Sequence, residues 1–133
     1  MKTTPGVKTH ELIDGELCGV PVALDEGRSE VRLKTLARMA ADESGLVHGG
    51  FVFGLADYAA MLAVNHPNVV LGASECRFLK PVRAGAELQA TAVCEAPQGR
   101  KLPVRVKVVC GDESVFEGLF TCFVTDKHVL SGK

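Results

Sequence analysis

A chain of 133 residues has the length of one domain, and with 47% hydrophobic residues it can bury a core, which excludes a disordered protein. A formal net charge of -1, with no Lys/Arg run longer than two, excludes the basic patch on which nucleic-acid and membrane-surface binding depend. The first residues, Met1-Lys2-Thr3-Thr4-Pro5-Gly6, hold no apolar run, so the expectation is a cytoplasmic protein without a secretory signal or a membrane span.

Residues 1–8 read as a loose tail. Thr9 is the expected N-cap of a short helix that Gly15 and Gly19 limit. From Glu30 the period becomes two. Val31, Leu33 and Thr35 alternate with Glu30, Arg32 and Lys34, which predicts a half-buried strand. Residues 37–47 read as a loop that leads into the stretch around which the chain is organised.

From 51 to 64 nearly every residue is Phe, Val, Leu, Ala or Met, and the apolar positions surround the helix instead of forming a stripe. Such a helix is buried in a core or in a membrane. Fourteen residues at ~1.5 Å each rise only about 21 Å, too little for a bilayer. A buried central helix is therefore expected. It should end near Asn65-His66-Pro67-Asn68, because Pro67 disfavours helical geometry at His66. Its one charged side chain is Asp57. A lone carboxylate is costly to bury unless it is paired, hydrogen-bonded or wet, so it marks a candidate site.

A second strand is predicted over about 69–80, with Ser74, Cys76 and Phe78 on one face and Glu75 and Arg77 on the other. Leu88, Ala90, Ala92 and Cys94 mark a third; Leu102, Val104, Val106 and Val108 mark a fourth. After a turn at Gly111-Asp112-Glu113-Ser114, a fifth strand over about 115–125 is apolar on both faces, which suits the middle of a sheet or an interface. The last eight residues read as a mobile tail. The last three junctions suit antiparallel pairing. The five cysteines have no CxxC spacing, and no Cys/His pair lies two to five apart, so they read as small hydrophobes in a reducing cytosol and no metal is expected.

His48-Gly49-Gly50 followed by Leu55-Ala56-Asp57, with Arg77-Phe78-Leu79-Lys80-Pro81 and Gly85 downstream, resembles the hotdog-fold acyl-CoA thioesterases of the phenylacetate-pathway, PaaI-like type. The resemblance covers roughly residues 28–125 of one domain spanning 1–133. It implies an α+β hotdog fold: a curved antiparallel sheet of about five strands wrapped around one long helix. It also implies an acyl-CoA substrate, no cofactor, and a homodimer or dimer-of-dimers tetramer with active sites at the subunit interface. By resemblance, Asp57 is nucleophile or general base and Gly49 donates its N–H to the thioester carbonyl. His48 either caps the helix or acts as base. Gly50 lets the carbonyl approach the backbone, Tyr58 lies beside Asp57, and Ser74 is the hydroxyl nearest the position where some members carry a water-positioning Ser or Thr. That position is Leu71 here.

Two further expectations follow. Gly49 and Asp57 are eight residues apart on one helix, about 12 Å along its axis, so a site needing both should draw them from two chains. Lys80, Arg83, Arg100 and Lys101 are either CoA-phosphate contacts or solvated surface. Other functions stay open: a non-catalytic acyl-CoA sensor of FapR type, suggested by Ala73-Ser74-Glu75-Cys76-Arg77-Phe78; a hotdog dehydratase or hydratase, whose HFPG-type motif is absent; or a small structural dimer with a vestigial site, Asp57 then being a structural acid paired with a partner-chain Arg or with backbone donors. The acyl group, aromatic, short or medium-chain, is not specified.

Overall fold

The computed structural model describes residues 6–131, and in it one antiparallel sheet surrounds one long helix, which every strand contacts. The elements are α1 (Gly15–Cys18), β1 (Val20–Asp25), β2 (Arg28–Lys34), a 3-10 turn (Ala37–Met39), α2 (Gly49–Val64), β3 (Val69–Phe78), β4 (Glu87–Cys94), β5 (Leu102–Cys110) and β6 (Glu113–Val124). The sheet order is β1-β2-β4-β5-β6-β3, and each neighbouring pair is antiparallel. This is the hotdog fold, with six strands among the described residues. No helix among them is long and apolar enough to cross a membrane.

α2 is the expected helix with its first turn added. His48 is the N-cap; its Nδ1 accepts the Gly50 N–H at 2.8 Å. The end is set by Asn65, which turns left-handed (φ 51°) and donates its N–H to the Met61 carbonyl, two residues before Pro67. Ala56, Ala59, Ala60 and Ala63 are buried, and these small side chains let the sheet approach closely. Phe116 and Phe120 of β6, fully buried with centroids 6.2 Å apart, fill the space under α2 with Leu33, Leu88, Val104 and Val106. Fully burying each such side chain contributes about 1.5–3 kcal/mol. The buried Ser29 hydroxyl is satisfied by the Ala59 carbonyl at 2.6 Å.

Several expectations need correction. β1 does not stand out in the sequence because Val20 and Val22 are exposed on an edge that also carries Pro21, so no alternation marks it. Asp14, not Thr9, caps the first helix, accepting the Glu16 N–H, and α1 is a single turn. The segment after β2 is only partly loop: it holds the 3-10 turn, and Ala40 bridges to Val47. β3 does not pair with β4. It lies at the sheet edge beside β6, and residues 79–86 cross over the N-terminal end of α2 to reach β4 between β2 and β5. A junction of that length fits a crossover as well as a loop between neighbours, so sequence alone could not separate them. β6 is interior, as expected.

Both ends of the chain make hydrogen bonds within the described residues. The Lys8 N–H donates to Asn65 Oδ1 at 2.8 Å and Asn65 Nδ2 donates to the Gly6 carbonyl at 3.0 Å, which ties residues 6–8 to the end of α2. At the other end His128 Nδ1 accepts the Leu130 N–H. Residues 1–5 and 132–133 lie outside the described residues.

Candidate active site

The two halves of the sequence motif meet at the start of α2. The crossover after β3 carries Leu79, Lys80 and Pro81 beside Gly49, and the Phe78 ring lies so close that a Cβ on Gly49 would stand 3.2 Å from it. A pocket of about 300 Å³ opens there, lined by Val47, Gly49, Val52, Phe78, Pro81 and Val115 among others. It is apolar, and a helix N-terminus with its partial positive charge lies at its wall.

The three motif residues at this turn divide the work. His48 is exposed, and its Nδ1 is engaged as the cap. The Gly50 N–H is that cap's donor, so it is occupied. A Cβ on Gly50 would fall 2.8 Å from the imidazole, so glycine is what lets His48 close over the turn. Gly49 is left with a backbone N–H that has no partner among the described residues. The resemblance gave Gly49 the donor role and Gly50 a steric one; in the fold the Gly50 N–H is engaged by the cap and that of Gly49 is not.

Asp57 lies two turns further along α2. Its Oδ1 is buried and has no hydrogen-bond partner among the described residues, an expensive arrangement for a carboxylate. Burial pushes its pKa above the ordinary carboxylate value, opposed by the charge of His10. The nearby Cys122 thiol is pushed up to about 12, first by burial and then by Asp57. Gly50, Phe53, Gly54 and Asp57, spaced i, i+3, i+4 and i+7, form the stripe of α2 that the chain leaves incompletely covered. The stripe is not packed at Gly54, where an added Cβ would meet no atom within 4 Å.

β3 supplies the neighbouring surface. A bulge at Gly72, where a side chain would collide with the Phe123 ring, changes the register between Leu71 and Ala73. As a result Leu71, opposite Cys122, and Ser74, opposite Phe120, share the helix-facing side although three residues apart. Leu71 is half-buried; Ser74 is exposed. Ser74, Cys76 and Phe78 thus share one face, as the alternation predicts, and Phe78 is 55% exposed.

The other candidates are scattered. Tyr58 is buried and turned away from Gly49, lining a second pocket of about 350 Å³ with Val7, His10, Ile13, Val20 and Pro21. Lys80 lines the Gly49 pocket and pairs with Glu113 at 2.8 Å; Arg83 reaches the Ser44 carbonyl; Arg100 and Lys101 sit on the β4–β5 turn outside either pocket. His10 had no sequence-based role. No spacing relates it to α2, and the folded-back N-terminal segment sets its ring 6.4 Å from that of Tyr58.

One chain by itself therefore holds an unpaired N–H donor and a buried acid about 12 Å apart along a helix, and neither pocket contains both. Residues 44–117 match the thioesterase superfamily. The chain is 51% identical over 121 residues to a methylthioribose-1-phosphate isomerase of Aquifex aeolicus, covering 90% of this chain but 26% of that protein. It is 34% identical over 90 residues to the acyl-coenzyme A thioesterase PaaI of Escherichia coli (62% of this chain, 64% of that one) and 23% identical over 124 residues to the transcription factor FapR of Caldanaerobacter subterraneus (92% and 62%). The chain thus spans less than two thirds of each of these relatives. A crystal structure of an uncharacterized Pyrococcus horikoshii protein superposes with a TM-score of 0.94 at 52% identity, covering 97% of this chain and 99% of that one. With its matched residues running from the loop before His48 into β6, this chain belongs to the thioesterase superfamily.

Proposed function

We propose that this chain is an acyl-CoA thioesterase that hydrolyses a small or medium acyl thioester to the free acid and CoA. The observation that carries the reading is the buried, unpartnered Asp57 oxygen on the one incompletely covered stripe of a helix whose first N–H, that of Gly49, is also free. Asp57 takes a proton from water as the water oxygen attacks the thioester carbon, or attacks that carbon itself. The Gly49 N–H holds the carbonyl oxygen as it gains negative charge. The C–S bond then breaks: on the first route the CoA thiolate takes the proton that Asp57 received from water, and on the second water hydrolyses the acyl-Asp57 anhydride to the free acid and supplies the thiolate's proton. A carboxylate whose pKa burial has raised is a stronger base than an ordinary one.

The site is completed by a second copy of the chain. Supporting this is β3, a ten-residue edge strand with an unpaired outer side, the kind of edge that natural proteins cover. Gly54 supports it too: a helix-interior glycine costs about 0.5–1 kcal/mol relative to Ala, and nothing in the chain itself requires one there. Gly54→Leu is expected to fold, yet to lose about 10–100-fold in kcat/KM by obstructing the approach to Asp57. Unchanged turnover would remove the α2 stripe from the site.

The direct test is free CoA release over a panel of aromatic, short and medium-chain acyl-CoAs. The second reading, a non-catalytic acyl-CoA sensor, is favoured by the FapR similarity and the β3 sequence. It predicts saturable binding of an acyl-CoA that is recovered intact, whereas hydrolysis of any panel member above the uncatalysed rate rejects it.

A further inference from the structure

The pocket beside Gly49 has a wall of one chemical kind. Val52 and Val115 are buried, and with Pro81 and Phe78 they give it an apolar surface. Lys80 is the one polar side chain in its lining among the described residues, and the Glu113 carboxylate holds its ammonium at 2.8 Å. The backbone around the pocket is equally committed. The Val47 N–H donates to the Val82 carbonyl, and the N–H groups of Leu79 and Lys80 both donate to the Val115 carbonyl. By contrast, the Gly49 N–H has no partner among the described residues. Phe78 stands beside it, its ring 3.2 Å from where a Gly49 Cβ would be. The same ring packs edge-on against the fully buried Phe116, with centroids 5.1 Å apart and planes at 75°.

We propose that this pocket takes the acyl group of the thioester and that Phe78 sets which acyl groups fit: one aryl ring or a short aliphatic chain, without hydroxyl or carboxyl. The proposal deepens, and rests on, the thioesterase reading. Two parts of an acyl-CoA flank the thioester carbonyl, and the wall chooses between them. The pantetheine arm carries two amides, which this wall would bury with nothing to bond, a costly arrangement. An alkyl or aryl group needs no such partner. With its carbonyl on the Gly49 N–H, the acyl group lies against Phe78, Val52 and Val115. A cavity of about 300 Å³ is at the lower end of the range for small-molecule sites, about 300–1,000 Å³, so the group is small. A carboxylate at its far end finds no unpaired cation, because Lys80 is already paired with Glu113. Phe78 is the part of the wall that can be changed without opening the core. Val52 and Val115 are core residues, whereas Phe78 is 55% exposed at the end of β3.

The wild type should therefore hydrolyse butyryl- and benzoyl-CoA in preference to dodecanoyl-CoA. 3-Hydroxybutyryl-CoA should be slower than butyryl-CoA by up to about 100-fold, the most an apolar pocket achieves against an added hydroxyl. Succinyl-CoA should be slower still, because a charge is costlier to desolvate than a hydroxyl. Phe78→Ala should raise kcat/KM for dodecanoyl-CoA relative to butyryl-CoA by at least about 10-fold. Phe78→Leu, which keeps part of the bulk, should fall between. Each ratio is taken within one preparation. A role of Phe78 confined to folding or to subunit pairing lowers both rates together and leaves the ratio where it was.

The test joins these ratios to nuclear magnetic resonance of the wild type with the carba analogue of butyryl-CoA, in which a methylene replaces the thioester sulfur so that no hydrolysis occurs. The expected result is the shifted ratio in Phe78→Ala, together with Overhauser contacts from the butyryl protons to the Val52 and Val115 methyls that free CoA does not make. A ratio unmoved in Phe78→Ala, or a wild type that prefers succinyl- or 3-hydroxybutyryl-CoA, overturns the proposal. If the wild type hydrolyses none of the five thioesters, the thioesterase reading fails, and the contacts alone decide whether the pocket takes the acyl group. Analogue bound without those contacts, free CoA making them, or no binding of the analogue overturns the proposal. If Phe78→Ala does not fold, the Phe78→Leu ratio and the wild-type contacts decide it in the same way.

Discussion

Asp57→Asn is expected to lower kcat by about 10²–10⁴-fold while leaving the protein folded and, at neutral pH, more stable than the wild type. The loss follows from chemistry: an amide neither accepts a proton at neutral pH nor attacks a thioester. The gain in stability follows from burial. The Asp57 oxygen has no partner, and a buried unsatisfied polar group costs about 1–3 kcal/mol, more when charged. Asn removes the charge, and Asp57→Ala removes the polar group altogether, so Ala should stabilise further. The pH dependence has a definite sign. The folded-state pKa of Asp57 is raised, so the group favours folding at low pH and that contribution is lost as pH rises through the folded value. The variants' advantage should therefore appear above the raised value and fade toward the ordinary carboxylate range. Thermal melts at two pH values beside steady-state kinetics check both halves. Near-wild-type turnover in purified Asp57→Asn ends the assignment.

Two inactive variants are expected to restore each other. If Gly49 of one chain faces Asp57 of its partner, a dimer of one Asp57→Asn chain and one Gly49→Pro chain has one intact site and one doubly damaged site. Random exchange of equal amounts makes half the dimers mixed, so about a quarter of wild-type activity should appear. If both groups served the same carbonyl from one chain, every site would stay defective. The structure makes Gly49→Pro a usable variant. Gly49 is the first helical residue, a position proline favours, and proline removes the N–H and little else. The preceding His48 is already extended (φ −62°, ψ 133°), as a residue before proline prefers. The new side chain presses on Phe78, which is exposed and can yield the few tenths of an ångström required. Sedimentation should first establish that wild type and both variants are dimers or larger. Verified mixed dimers without activity would reject the shared site.

Much of the chain was legible in its residues because each signal was local. The all-round apolar run predicted a buried helix, since no stripe pattern can leave such a helix on the surface. Pro67 marked its end, with Asn65 turning left-handed two residues before. Alternation along 30–35 and along β3 told correctly which side chains share a face. Asp57 stood out because a carboxylate in an apolar helix needs a reason. β1 escaped notice because an edge strand with exposed valines and a proline carries no period.

What the sequence alone determined is the buried helix, the strands with strong alternation, the lone acid and the glycines at the helix start. These depend on neighbours a few residues away, where helix and strand periods fix geometry. Tertiary structure decided the rest. It sent β3 to the edge, where the crossover brings Phe78 and Pro81 against Gly49. It used the Gly72 bulge to put Ser74 on the helix-facing side. It engaged the Gly50 N–H with His48 and left that of Gly49 free, and it folded the N-terminal segment back so that Lys8 meets Asn65 and His10 meets Tyr58. The physical reason is that pairing order, bulges and segment docking are set by which surfaces bury each other best, and the residues that meet there are as far apart in the chain as Lys8 and Asn65, whose separation no sequence period records.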